Sequence, residues 1–346
     1  MTEKRSYGML DVCKFCCGLL ILLYHFFSEH GGLPGILNEA LSLYAVAVAL
    51  FMAISGFLVF DKTSTLATRK ERWNVVAKQV KHILRVYLLW SIPYQVFQIA
   101  SWDFSTISLS FVLNKVQGWV FGSTFYTIWF MPALCVGLLV AFAATEYLPK
   151  VAVNVLAAVA YVVGSLMLTY NFLGDAIPGS SAFTAFANRW LQGPRGGLFF
   201  GFPLLIVGKL VVEKKEKLNP IIMGLASVIC MALVLAEALL IRRLAGRNTG
   251  IDMTMMMLPL VFCILGCIVN WPMRSGKGCV WMRKMSTLIF MSQRVFLTVL
   301  PAIIPAVQKA AQNQLAAFAL MCGGTLALSW CIEYVSRKYQ KLRALY

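Results

Sequence analysis

Long apolar runs alternate with short polar and cationic interruptions along this chain. Ten of the runs reach spanning length, around 9–28, 37–60, 83–100, 126–145, 151–170, 196–212, 220–241, 253–270, 285–304 and 315–335. An α-helix needs roughly 20 predominantly apolar residues to cross a bilayer core. The pattern therefore predicts an all-α, polytopic membrane helix bundle with about ten transmembrane helices. Two longer connections are too polar or too interrupted to cross. Trp102 to Phe125 carries Phe111, Val112, Trp119, Val120 and Phe121 and predicts an interfacial or re-entrant helix. Asn171 to Arg195, punctuated by Gly174, Pro178, Gly179, Gly193 and Pro194, predicts a structured loop around Phe183, Phe186 and Trp190. Both are placed to roof a pocket. Pro93, Pro132, Pro203 and Pro301 fall within apolar runs, which suits an internal chamber, because broken backbone at membrane depth needs protein or water to satisfy it. With no internal repeat, low-complexity segment or soluble second domain, residues 1–346 read as one domain.

Composition agrees with the pattern: 60% of the 346 residues are hydrophobic and only 13% are charged. The mean hydropathy of +0.75 lies far above that of soluble domains. A net charge of +17 would point to nucleic acid in a soluble protein. Here its location matters more. With the N-terminus cytoplasmic, 23 of the 31 Lys and Arg residues fall on the inner side, 7 on the outer side, and Arg294 lies within a span. This asymmetry predicts both termini cytoplasmic and accounts for the charge without a nucleic-acid partner. Its densest part is Lys62, Arg69, Lys70, Arg72, Lys78, Lys81 and Arg85, where Trp73, Val76, Val80 and Ile83 predict an amphipathic helix lying on the inner leaflet before the third span. Such a segment suits lipid headgroups or another anion.

Lys4 and Arg5 precede the first run, but Asp11 and Lys14 lie inside it and no small-residue cleavage pattern follows, so the run is expected to stay as a helix rather than be removed as a signal peptide. The ten cysteines fall mostly in apolar runs and read as small buried hydrophobes. Cys13-x-x-Cys16 has no accompanying ligands, and no metal site is expected. Ser336-Arg-Lys-Tyr-Gln-Lys-Leu-Arg closes the last run on the inner side, as it would ahead of a further cytoplasmic domain.

The first run carries the candidate chemistry. Lys14 and His25 are eleven residues apart, which on an α-helix is about three turns plus roughly 20° and an axial separation of ~16 Å. They share one face, Lys14 near a membrane surface and His25 well inside. An ionisable side chain within a span is costly and normally faces a cavity or partner inside the bundle. The plainer alternative is that Lys14 snorkels to the surface beside Asp11 and His25 is a satisfied core histidine. Arg294, in Met291-Ser292-Gln293-Arg294, is the residue least suited to lipid and is a second pocket candidate.

Taken together the motifs resemble the integral-membrane acyltransferase family 3, whose members O-acetylate surface polysaccharides, peptidoglycan and related acceptors. Leu10-Asp11-x-x-Lys14, ten residues and His25 resembles the family's first helix, with lysine in place of the commoner arginine. Phe51-Met-Ala-Ile-Ser55-Gly56-Phe57-Leu58 is similar to its FFxxSGFL segment, and Trp129-Phe-Met-Pro132-Ala-Leu to its WFLxAL segment. Lys78-Gln-Val-Lys81-His-Ile-Leu-Arg85 resembles its basic entry to the third helix. Gly193-Pro-Arg195-Gly-Gly-Leu-Phe-Phe is similar to the TRNGLFF entry of members fused to a serine racemase in vancomycin-resistance systems. Where many members carry YLxHP, this chain has Phe290-Met-Ser292-Gln293-Arg294, and Thr127 stands where relatives often have histidine.

The resemblance implies a membrane-bound O-acyltransferase with acyl-CoA, chiefly acetyl-CoA, as co-substrate from the cytoplasmic side, no bound cofactor, and a hydroxyl acceptor on a cell-surface glycan or small molecule. The expected multi-pass location is the cell membrane, with the bilayer as partner. Lys14, Lys81 and Arg85 are the donor-phosphate candidates, and the charge map independently supplies such cations. His25 is the candidate general base, because burial favours its neutral, proton-accepting form. Ser55, Gln293 and Arg294 are candidates for the oxyanion, and Trp129 and Arg195 for the pocket or acceptor. A carrier for a small polar molecule such as serine, or a structural membrane partner, stands as the alternative.

Overall fold

The computed structural model describes residues 7–30, 44–125, 127–246, 252–310 and 312–346. Lys4, Arg5, Arg247 and the first part of the second apolar run lie outside the described residues. All regular structure among the described residues is helical. The longer helices are α1 (Gly8–His30), α2 (Tyr44–Thr63), α3 (Arg69–Ala100), α4 (Leu109–Phe121), α5 (Phe130–Tyr147), α6 (Lys150–Met167), α7 (Ser180–Trp190), α8 (Phe202–Lys214), α9 (Pro220–Ala245), α10 (Met257–Asn270), α11 (Lys277–Arg294) and α12 (Gly324–Lys338).

Among the described residues, seven helical segments are long and apolar enough to cross a membrane: Gly8–Glu29, Tyr44–Thr63, Phe130–Tyr147, Lys150–Met167, Pro220–Ala245, Lys277–Ile303 and Gln314–Lys338. The protein is thus a multi-pass membrane protein. On α9, Ile221, Leu225 and Val228 are 67%, 64% and 68% exposed, an apolar face that suits acyl chains rather than water. Three of the ten apolar windows take other forms. The third continues without a break from the basic stretch before it, so a separate surface helix is replaced by one helix of 32 residues, α3, whose first half carries the charge. The windows at 196–212 and 253–270 give helices of only 13 and 14 residues, α8 and α10. A helix is present within 102–125 as α4, and the segment read as a structured loop contains α7.

Pro203 and Pro301 each follow closely on a five-residue π segment within a continuing helical run, where the backbone ladder is already irregular, and Pro93 sits deep inside α3. Five-residue π segments at Gly197–Gly201, Val295–Val299 and Ala319–Gly323 interrupt the remaining regularity. The cysteines are unbridged, and Cys17, Cys135, Cys263, Cys279 and Cys322 are buried as small apolar groups, whereas Cys16 and Cys331 are exposed.

The chain forms two compact units. The first comprises residues 1–48, 88–101 and 271–346, the second residues 49–87 and 102–270. In the first, α1 lies along α11: Gly18 passes beside Ser286, where an added Cβ would make ordinary contact with that backbone, and the Ser286 hydroxyl donates to the Lys14 carbonyl at 3.0 Å. Lipid is as apolar as leucine, so small residues, close packing and interhelical hydrogen bonds must hold such helices together. Leu22 and Phe26 of α1 meet Met285 and Ile289 of α11, together with Leu297, Ala317, Met321 and Cys322. Ser292 bonds Ser329 of α12 at 3.1 Å, and the Tyr94 hydroxyl donates to the Met291 carbonyl.

In the second unit α2 and α8 cross at two glycines. A Cβ on Gly208 would lie inside van der Waals contact with the Ala53 carbonyl, and one on Gly56 would collide with Leu205. Ion pairs hold one end of this unit. Arg72 grips Glu146 with two hydrogen bonds of 2.8 Å, Lys150 and Lys209 share Glu213 at 2.5 Å, and Lys215 pairs with Asp61. Part of the cationic excess anticipated for lipid or ligand is therefore used within the protein.

Candidate functional site

α1 is one continuous helix through Lys14 and His25, so the shared face expected from their spacing is present. The Lys14 side chain lies within electrostatic range of Asp11 and Arg283, and Asp11 itself is 3.3 Å from the Arg283 guanidinium. Three turns along, His25 is half-buried with its ring centroid 5.4 Å from that of Tyr24, which stacks on Tyr44 at 3.5 Å.

Arg294 comes to His25 from α11, although 269 residues separate them in sequence. Its side chain is 2% exposed. One guanidinium nitrogen, Nη2, lies 2.8 Å from His25 Nδ1; the other, Nη1, pairs with Glu29 Oε1 and lies 3.4 Å from Thr298 Oγ1. Glu29 is not among the residues expected from sequence. Its four-residue offset from His25, which puts both side chains on one helix face, is the signal that points to it. The result is an array in which one guanidinium joins a carboxylate to an imidazole. A carboxylate beside a buried guanidinium offsets a charge that would otherwise be prohibitive inside a membrane bundle.

Gln293 is fully buried; its Nε2 donates to the Phe290 carbonyl at 3.0 Å, and its Oε1 has no hydrogen-bond partner among the described residues. The remaining candidates belong to the second unit, where each has its own surroundings. Lys81 and Arg85 are exposed on one face of α3, with Arg85 3.0 Å from His82 Nδ1. Ser55 donates to the Phe51 carbonyl at 2.7 Å, so its hydroxyl hydrogen is engaged along its own helix. Trp129 stands at the start of α5 with its ring 6.2 Å from that of Phe200. Arg195 pairs with Asp252. No group of three His, Cys, Asp or Glu residues suited to a metal occurs among the described residues.

The chemistry of the array is that of a neutral imidazole with one nitrogen fixed by a permanent cation. It can accept or deliver a proton, orient a hydroxyl, and set positive charge beside an oxygen that becomes negative.

The chain is 23% identical over 286 residues to an amino-acid racemase of Enterococcus faecalis, covering 80% of this chain and 38% of that protein. It is 27% identical over 213 residues to a serine/alanine racemase of Enterococcus gallinarum, covering 60% and 29% of the two chains. It thus spans only about a third of the length of the relatives it matches. No solved structure matches the chain. The acyltransferase domain model of acyltransferase family 3 matches residues 7–334, nearly the whole protein. The chain that places His25, Arg294 and Glu29 together therefore belongs to the membrane-integral acyltransferase family 3.

Proposed function

We propose that the protein transfers an acyl group, chiefly acetyl, from cytoplasmic acyl-CoA to a hydroxyl acceptor at or across the membrane, with His25 as general base. The observation that carries this reading is the His25 imidazole held against Arg294 on the family's first helix, about three turns from Lys14. Lys14 is the cation for the donor's phosphates, and an extended pantetheine arm starting at Lys14 reaches the depth of His25. The acceptor O–H gives its proton to the neutral imidazole while its oxygen bonds the thioester carbon. The tetrahedral oxyanion is stabilised by the Arg294 guanidinium, with Gln293 beside it. Collapse breaks the C–S bond, and the CoA thiolate takes the proton from the imidazolium, leaving an ester and free CoA.

Purified protein incubated with labelled acetyl-CoA and its His25→Ala variant test the proposal. The wild type turns over the thioester and marks an acceptor, whereas the variant, still folded and inserted, does not. Retained acylation without His25 refutes the assignment.

One observation favours a second reading. The adjacent opposite charges of Arg294 and Glu29 match the carboxylate and ammonium of an amino-acid zwitterion, and the relatives' names include serine and alanine. On that reading the chain is a carrier for a small polar molecule such as serine. Solute movement that needs no acyl donor and leaves the solute unmodified distinguishes it.

A further inference from the structure

The contact between Arg294 and His25 has a direction. An arginine guanidinium carries only N–H donors and no acceptor, and it stays protonated at any pH a protein survives. The nitrogen it approaches at 2.8 Å, His25 Nδ1, must therefore offer a lone pair. In a neutral imidazole the single hydrogen then sits on Nε2. Arg294 is in turn aimed by α1 itself, because Glu29 holds its other terminal nitrogen and Thr298 lies 3.4 Å from that same nitrogen.

We infer that Arg294, oriented by Glu29, is a positioning residue that fixes His25 in the Nε2–H tautomer and makes Nδ1 the nitrogen at which this imidazole accepts a proton. The tautomer stands independently of the proposed acyl transfer; only its catalytic consequence rests on that reading. The arrangement is the reverse of a carboxylate–histidine pair, in which an acceptor at Nδ1 drives the hydrogen there and leaves Nε2 as the base. Here a donor at Nδ1 drives the hydrogen to Nε2. The acceptor hydroxyl must consequently enter on the Arg294 side of the ring and take over the Nδ1 contact. As it does so, Glu29 retains the guanidinium next to the oxygen that gains negative charge. A residue fixed in this way acts through His25 rather than on the substrate alone, as outer partners of metal-bound histidines set tautomer and ring orientation.

The test is nitrogen NMR of the full chain labelled with [15N]histidine in lipid nanodiscs. The chain has only 3 histidines, and the His25→Gln spectrum identifies the His25 signals by their loss. The wild type is expected to show a protonated Nε2 and an unprotonated Nδ1 for His25. Arg294→Lys, which keeps a donor, retains that pattern. Arg294→Met removes the donor, and the two tautomers then mix. Wild-type His25 carrying its hydrogen on Nδ1, or an Arg294→Met spectrum identical to wild type, overturns the inference. If Arg294→Met fails to insert, the wild-type spectrum still decides. In turnover, Arg294→Met is expected to lower kcat by on the order of 100-fold with the KM for acetyl-CoA within about twofold, and Arg294→Lys to recover part of the loss. Absence of any acetyl-CoA turnover by the wild type defeats the proposed function and leaves the tautomer result standing.

Discussion

Glu333 of α12 receives the Lys284 ammonium of α11 at 3.0 Å, with its own side chain only 2% exposed. Arg337 reaches the same carboxylate at 2.8 Å, and the segment beyond α12 folds back over this point. The Tyr346 hydroxyl bonds Ser336 at 2.8 Å, its ring lies beneath the Lys284 ammonium, and the Leu345 carbonyl accepts from Trp90 at 3.0 Å. Removing the buried partner would strand a half-buried ammonium. Because Arg337 is 60% exposed, only the Lys284 contact counts fully. Glu333→Ala is therefore expected to cost about 3 kcal/mol, the lower end for a broken buried pair, seen as a lower melting temperature in detergent. Unchanged melting would show that water already satisfies these charges.

Lys14 is assigned to the donor's phosphates and not to bond-making, which predicts a separation of kinetic constants. Lys14→Gln should raise the KM for acetyl-CoA about tenfold, the loss of one charge-assisted contact, with kcat within a factor of about two. A fall in kcat at unchanged KM would place Lys14 in the chemistry instead.

At the crossing of α2 and α8 there is no room for a methyl group on Gly208. Gly208→Ala is expected to destabilise the second unit by about 2–3 kcal/mol, because the atoms it meets are backbone and cannot rotate away. Gly276→Ala, where an added Cβ meets nothing within 4 Å, is the control and should melt with the wild type.

Burial, and then the Glu237 carboxylate that accepts its hydroxyl, push the Tyr170 phenol above its ordinary value. The folded state thus resists phenolate formation. Its contribution to stability is complete below the unfolded phenol's value, near 10, and is lost as pH rises from there toward the folded value. Urea or thermal melts from pH 7 to 11 should show a steeper alkaline decline for the wild type than for Tyr170→Phe. Parallel curves would exclude this linkage.

The fold was readable from sequence where length and apolarity suffice. The run around 9–28 returns as Gly8–His30, because the stretch is predominantly apolar and no proline interrupts it. The third run was harder. Its boundary with the basic stretch is a change in composition alone, and backbone hydrogen bonding continues straight through Lys78, Lys81 and Arg85. At the site, spacing along one helix put Lys14 and His25 on a shared face, but no local rule relates His25 to Arg294, which reaches it only through the packing of α1 on α11. Glu29 was accessible to the same helical arithmetic. It stood at the end of the apolar run, where a carboxylate ordinarily marks a span's exit toward water, and that environment hid its partnership.

The π segment Val295–Val299 begins at the residue after Arg294. A five-residue turn holds one residue more than the α-ladder would, so everything beyond it is rotated by about 100° relative to an uninterrupted helix. Deleting a single residue within that segment would let the ladder close regularly, and because the residue lost is the one the π turn absorbs, Leu300 and its successors would keep the side they face now. Arg294 and the wall beyond it would both keep their places. A one-residue change of length at this point is thus one the helix absorbs while leaving the imidazole, its cation and their surroundings untouched.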